Sequence, residues 1–181
     1  CGNLTIDLSS RLNLGGSTAA LTVPGNVIVN GSLTLSTVSG GDLSLAGNYT
    51  VGASATVTNN GRATIFNGSG GDQLVTRTGG GNVFFDYLII NKSTGNFKLS
   101  NTAGSLTNVV ISSSTNNNTL YVLKLQNGDI DLNDQTFTLN GTASNSTNIY
   151  TSGTGVRKIF TSTGVGNLNI SGSVATPGQQ N

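Results

Sequence analysis

The segment Ser17-Thr-Ala-Ala-Leu-Thr-Val-Pro-Gly-Asn-Val-Ile-Val-Asn-Gly-Ser-Leu-Thr-Leu35 returns 22 residues later as Ser39-Gly-Gly-Asp-Leu-Ser-Leu-Ala-Gly-Asn-Tyr-Thr-Val-Gly-Ala-Ser-Ala-Thr-Val57. Leu21/Val23 fall on Leu43/Leu45, Val27/Val29 on Tyr49/Val51, and Leu33/Leu35 on Ala55/Val57, while Gly25-Asn26 falls on Gly47-Asn48. Each unit holds three apolar-x-apolar triplets separated by small polar turns. Strands this short cannot make a free-standing sheet, but coils of this period can stack and bury one another's apolar faces. The repeat therefore predicts an all-β parallel β-helix (β-solenoid) of about 22 residues per coil. Right-handed winding is expected from the rule for parallel crossovers.

Working outward from the repeat, triplets follow one another without interruption. They are read as strands at 4–6, 12–14, 21–23, 27–29, 33–35, 43–45, 49–51, 55–57, 64–66, 73–76 and 83–90. The series goes on at 97–99, 109–111, 120–125, 130–132, 136–139, 149–150, 158–160 and 168–170. No stretch spaces its apolar residues at a helical period, so little or no helix is expected. The 181 residues form one domain: regular coils over 1–60, coils with corner insertions over 61–171, and a polar tail over 172–181. Loops at 112–118 and 142–147 are read as such insertions. About eight coils would fit the chain, and parallel strands about 4.8 Å apart would make a rod roughly 40 Å long. The strands at 83–90 and 120–125 should form the middle of the core, filled by Phe84, Phe85 or Tyr87.

Gly, Asn, Ser and Thr exceed half of the residues, and only 8% are charged. Such a composition can signal disorder. Here the 35% of apolar residues alternate with polar ones, as a pleated strand requires. Net charge is +1, with four Arg and four Lys dispersed, so no basic stripe exists for nucleic acid. No apolar run is long enough to span a bilayer. A secretory leader is not visible, which reads as a processed chain or a fragment. Cys1 is the one cysteine, so no internal disulfide can form. It is read as an arbitrary first residue, a lipidated N-terminus or an intermolecular link.

Phe85-Asp-Tyr-Leu-Ile-Ile-Asn91, preceded by Phe66-Asn-Gly-Ser-Gly-Gly-Asp-Gln-Leu-Val75, and Leu123-Lys-Leu-Gln-Asn-Gly-Asp-Ile-Asp-Leu-Asn-Asp-Gln-Thr-Phe-Thr-Leu-Asn-Gly141 resemble the repetitive β-helical regions of secreted surface proteins from Bacteroidetes. More loosely, they are similar to adhesin passenger stalks of other Gram-negative bacteria. The resemblance implies a parallel β-helix, export, and a surface or adhesive role, and it carries no catalytic residue.

The closest acids are Asp129, Asp131 and Asp134. With Ile130 and Leu132 turned inward, Asp129 and Asp131 would share an outer face, where carboxylates can hold Ca²⁺ or serve acid–base chemistry. A solvated face beside a turn is the favoured alternative. Lys92, Lys98, Lys124 and Lys158 show no spacing that sets them beside these acids. Gly68-Ser-Gly-Gly-Asp72 nearly matches a calcium-binding glycine-aspartate repeat, but a single copy reads as a corner. Gly79-Gly-Gly-Asn82 lacks the Lys-Ser/Thr of a phosphate loop and reads as a tight bend. The Thr pairs 56/58, 76/78, 136/138 and 161/163 are not spaced at multiples of the coil, which argues against a flat ice-binding array. Sequons such as Asn3, Asn30, Asn48, Asn67 and Asn140 arise by chance in so Asn-rich a chain. With no His or Glu, an enzyme is disfavoured and no cofactor beyond Ca²⁺ is expected.

Neither terminus carries a visible cap. Strands at Leu4–Ile6 and Leu168–Ile170 are thus expected to join copies head to tail in a homopolymer. The leading expectation is an extracellular structural filament with no membrane span. A rigid adhesin stalk binding glycans or surfaces comes second, and a carbohydrate-active β-helix enzyme a distant third.

Overall fold

The computed structural model describes residues 2–105, 107–112, 122–140, 149–151 and 156–171. Among them there is no helix, and every strand pairing is parallel. The chain winds as a three-sided β-solenoid.

The first side stacks β1 (Leu4–Ile6), β4 (Val27–Val29), β7 (Tyr49–Val51), β10 (Gln73–Arg77), β13 (Phe97–Leu99), β16 (Ile130–Asp131) and β19 (Ile159–Phe160). The second side stacks β3 (Leu21–Val23), β6 (Leu43–Leu45), β9 (Ala63–Phe66), β12 (Tyr87–Asn91), β15 (Leu123–Asn127) and β18 (Ile149–Thr151). The remaining side is split. It begins as β2 (Arg11–Asn13), β5 (Ser32–Thr34) and β8 (Thr56–Thr58), then restarts as β11 (Gly81–Phe85), β14 (Thr107–Ser112), β17 (Thr136–Asn140) and β20 (Asn167–Ser171).

The 22-residue repeat is real, but it is local. On the first side Leu4 pairs with Val27, Val27 with Tyr49, Tyr49 with Val75, Gln73 with Phe97, Phe97 with Ile130 and Ile130 with Ile159. The steps are thus 23, 22, 26, 24, 33 and 29 residues. Longer corners use more chain per turn, so the described first side holds seven strands where eight coils were expected. One corner insertion falls inside the founding repeat. Leu33 pairs with Val57, not Ala55, because Ala53 and Ser54 bulge out through a turn closed by Ala55 N–H to Gly52 O (3.1 Å). The expected strand at 83–90 is also two strands on different sides, broken at the single corner residue Asp86. Residues 120 and 121, Cys1, and nearly all of the expected loops and tail lie outside the described residues.

Inward residues alternate with outward ones, as strand geometry demands. In β4 Val27 and Val29 are buried, and in β13 Phe97 and Leu99. Small aliphatics fill the first coils. The middle is filled by Tyr49, Phe66, Phe85 and Phe97, one from each of β7, β9, β11 and β13. Phe66 lies edge-on to Phe97 at 4.8 Å between centroids and to Phe85 at 6.1 Å. Tyr87 also points inward, whereas Phe84 is 54% exposed on the outer face of β11.

This contrast sets an expectation. Phe66→Ala should cost about 3–5 kcal/mol in urea unfolding, since it opens a cavity at the centre of the aromatic cluster. Phe84→Ala should cost less than about 0.5 kcal/mol, as surface substitutions usually do.

Candidate functional site

The acids at Asp129, Asp131 and Asp134 do sit on one turn, with Ile130 and Leu132 buried beneath them. Their carboxylates do not converge. Asp129 Oδ1 accepts from Lys158 N–H (3.0 Å), Asp131 Oδ1 from Ser162 N–H (2.9 Å), and Asp134 Oδ1 from Val165 N–H (2.8 Å). Each reaches along the rod axis and holds the backbone of the next coil. Among the described residues no three acidic, cysteine or histidine groups come together that could hold a metal ion. The donor set therefore fits coil-to-coil bonding rather than a Ca²⁺ cage, which needs six to eight converging oxygens.

The same device recurs along the rod at every first-side corner from Asn3 to Asp129 but the one at Asn96. Asn3 Oδ1 accepts from Asn26 N–H (2.9 Å), Asn26 Oδ1 from Asn48 N–H (2.8 Å), Asn48 Oδ1 from Leu74 N–H (2.9 Å), and Asp72 Oδ1 from Asn96 N–H (2.8 Å). Asn3, Asn26, Asn48, Asp72, Asn96 and Asp129 each stand directly before a strand of the first side, and each follows a glycine. The pattern Gly-(Asn/Asp)-apolar-x-apolar recurs at 2, 25, 47, 71, 95 and 128, except that Gln73 fills the first apolar place after Asp72. It was visible in the sequence, but a fixed offset of 22 hides it beyond the second repeat. Close approach requires three of these glycines: a Cβ on Gly25 would collide with the Gly2 backbone, one on Gly47 with that of Gly25, and one on Gly95 with that of Gly71, while Gly71 and Gly128 have positive φ (65° and 86°). Six of the seven aspartates bond the main chain of an adjacent coil, Asp42 accepting from Ala63 N–H and Asp86 from Gly61 N–H.

Sequence reasoning set the lysines apart from the acids, and the structure corrects this. Lys98 and Asp131 are register partners on β13 and β16, with Nζ 2.9 Å from Oδ2. Ser162 Oγ donates to the same Oδ2 (2.6 Å), and Lys98 Nζ donates to Ser162 Oγ (3.1 Å). Asp131 is buried. Burial works to raise its pKa, but the bonds from Ser162, Lys98 and the Asn133 N–H outweigh it and hold the carboxyl below the ordinary range. Lys98 and Asp131 are 33 residues apart, and only the length of the coil between them brings them together.

A second lysine is wholly enclosed. Lys92 Nζ donates to Gly68 O and Gln73 Oε1, both at 3.2 Å, and Gln73 Oε1 also accepts from Gly68 N–H (2.7 Å). Burial pushes the ammonium pKa down, and the nearby Asp72 partly restores it. The group ties one inner corner to the next. The Gly68–Asp72 stretch is thus a corner, as its single copy suggested, and the three glycines 79–81 bend at φ 80°, 77° and 105° before Val83.

The end coils differ from the middle. Leu4 and Leu12 are half-buried, while Ile6 is covered. At the other end Leu168 and Ile170, paired with the fully buried Phe137 and Leu139, are 41% and 46% exposed. The rung position before β19 holds Lys158, whose side chain has no acceptor oxygen, so no rung of this kind continues from it. Comparison with family models, curated proteins and solved structures finds no match.

Four substitutions test these bonds. Asn26→Ala leaves the Asn48 N–H without its acceptor and should cost about 1–3 kcal/mol, Asn26→Asp should be close to neutral, and Gly47→Ala should cost about 1–3 kcal/mol by overpacking; urea unfolding checks all three. For Asp131, a carboxyl pKa below its unfolded value stabilises the fold above about pH 4 and loses that contribution as pH falls through the folded value. Asp131→Asn should be less stable than wild type at neutral pH and should show a smaller further loss in acid, as read by thermal melts across pH.

Proposed function

We propose that this protein is an extracellular structural protein that extends by end-to-end stacking of its coils into a filament. The observation that carries the reading is coil-on-coil stacking: each coil holds the next through parallel main-chain pairs and through Asn and Asp side-chain bonds that run along the rod axis. Among the described residues the outermost strands β1 and β19 pair on one edge only, and Leu4, Leu12, Leu168 and Ile170 in the outermost described coils are incompletely covered. An unpaired strand edge is a template for another strand. A head-to-tail contact of this kind does not close on itself and so propagates. The low charge, the Asn/Ser/Thr-rich composition and the resemblance to secreted β-helical surface proteins support an extracellular setting. The acids support a scaffold rather than an enzyme, because six of seven hold adjacent coils together.

Lys158 makes the joint distinctive. An incoming Asn3 N–H meets an ammonium-bearing side chain where Asn3, Asn26, Asn48, Asp72 and Asp129 each give the following coil an amide or carboxylate oxygen. The contact between copies is weaker than those five internal contacts by one rung.

Sedimentation velocity and electron microscopy over rising concentration test the reading. Rods lengthening in steps of one protomer are expected, with Lys158→Asn assembling at lower concentration and the pair Leu168→Asp with Ile170→Asp remaining monomeric. Isolated short rods for wild type and Lys158→Asn alike, at every concentration, would overturn the filament and favour a stalk whose neighbouring coils come from the same longer chain.

A further inference from the structure

The split in the third side leaves a cavity. β8 and β11 do not pair, and between them lies a space of about 380 Å³ walled by Thr56, Arg77, Asn82 and the exposed Phe84 over a floor that includes Val57 and Val83. A second space of about 320 Å³ lies along the corner of the earlier coils, walled by Ser10, Arg11, Ser32, Ser54 and the same Thr56. Thr56 lines both, so the two spaces adjoin at that residue, and together they make a trough whose lining residues come from the first coil to the fourth. With coils about 4.8 Å apart it is roughly 15 Å long.

The chemistry of the walls is specific. No aspartate lines either space, and the ion pair among the described residues is Lys98–Asp131, so neither Arg11 nor Arg77 is neutralised by a carboxylate. Arg77 Nη2 donates to Ala53 O (3.1 Å), which fixes the side chain at the trough. Guanidinium groups match carboxylates in a bidentate fork. Between the two arginines stand hydroxyl groups and the Asn82 amide, which suit a ligand that presents many hydroxyls. Phe84 offers one aromatic face, a flat apolar platform for a ring. Two arginines are too few for a polyphosphate backbone, and the chain as a whole carries a net charge of only +1.

We propose that this trough binds an acidic oligosaccharide, with a uronate carboxylate on Arg77, its ring on Phe84, and the following hydroxyls on Asn82, Thr56 and the serines toward Arg11. Arg77, Asn82 and Phe84, the residues on which the test rests, lie on the fourth coil away from the outermost described coils, so the two readings are tested separately.

The test is calorimetric titration of the full chain with a galacturonate hexamer, beside a neutral glucose hexamer and a single-stranded oligonucleotide as comparators. Amide chemical-shift changes locate the ligand. Binding of the uronate hexamer with shifts at Thr56, Asn82 and Phe84, and a loss of at least about tenfold in both Arg77→Gln and Phe84→Ala, is expected. Asn82→Ala, an outer-face change, provides a third reading should Arg77→Gln fold poorly by circular dichroism. Equal affinity for the neutral hexamer, tighter binding of the oligonucleotide, shifts confined to another surface, or no binding at millimolar hexamer would each overturn the proposal.

Discussion

Everything in this molecule depends on satisfying backbone groups that point along the rod axis. A coil presents its N–H and C=O groups to the coils above and below, and a buried group left unpaired costs more than most contacts return. Within the strands, the parallel ladder meets that demand. At the corners the chain turns and some N–H groups, such as those of Asn26 and Asn48, take a side-chain oxygen of the adjacent coil as acceptor instead. The Asn and Asp side chains supply it, with Oδ1 of one coil placed 2.8–3.0 Å from an N–H of the next. Before the rungs, Gly25, Gly47 and Gly95 let the corners approach closely, and Gly71, Gly95 and Gly128 take a positive φ, so glycine travels with the rung for either reason.

This constraint leaves the sides free to vary. Because each corner is fastened separately, an insertion at one corner does not disturb the register at another. Ala53 and Ser54 bulge from the first corner of the third coil, yet Leu43 and Leu45 still lie under Thr64 and Phe66 on the second side. The same independence permits the third side to stop at β8 and restart at β11 while the first and second sides run through. Behind that break stand Tyr49, Phe66 and Phe85, so the core is most bulky where the wall is discontinuous. The aromatic packing keeps the interior closed, and the break becomes a recess in the surface.

Much of this was legible in the sequence. Apolar-x-apolar triplets located Leu21–Val23, Val27–Val29, Leu43–Leu45, Tyr49–Val51 and Phe97–Leu99 to the residue, because inward positions in a narrow coil admit little else. On the third side, Ser32–Thr34 and Thr56–Thr58 were read one residue away, since Leu35 and Ala55 are also buried but lie just outside the paired strands. The switch from one side to the next at Asp86 was missed because hydrophobicity is unbroken across it; the corner is marked only by a charge, and one residue suffices. Lys98–Asp131 was beyond reach, as it depends on how much chain an intervening coil consumes.

The aspartates show how function and fold compete for the same chemistry. Three acids within six residues invite a reading as a metal or acid–base centre, and on a compact enzyme that reading would be reasonable. In a solenoid the nearest unsatisfied donor is the N–H of the next coil, about 4.8 Å away. A carboxyl one carbon beyond Cβ reaches it, whereas the extra methylene of glutamate would overshoot or fold back. That geometry accounts for a chain with seven Asp and no Glu, and with Asn in the same places. A carboxylate used in this way has its lone pairs directed at the main chain and is held by geometry that repeats from coil to coil. The polar and aromatic groups that the ladder does not consume include, on the flank, the Arg11 guanidinium, the Asn82 amide and the outward Phe84.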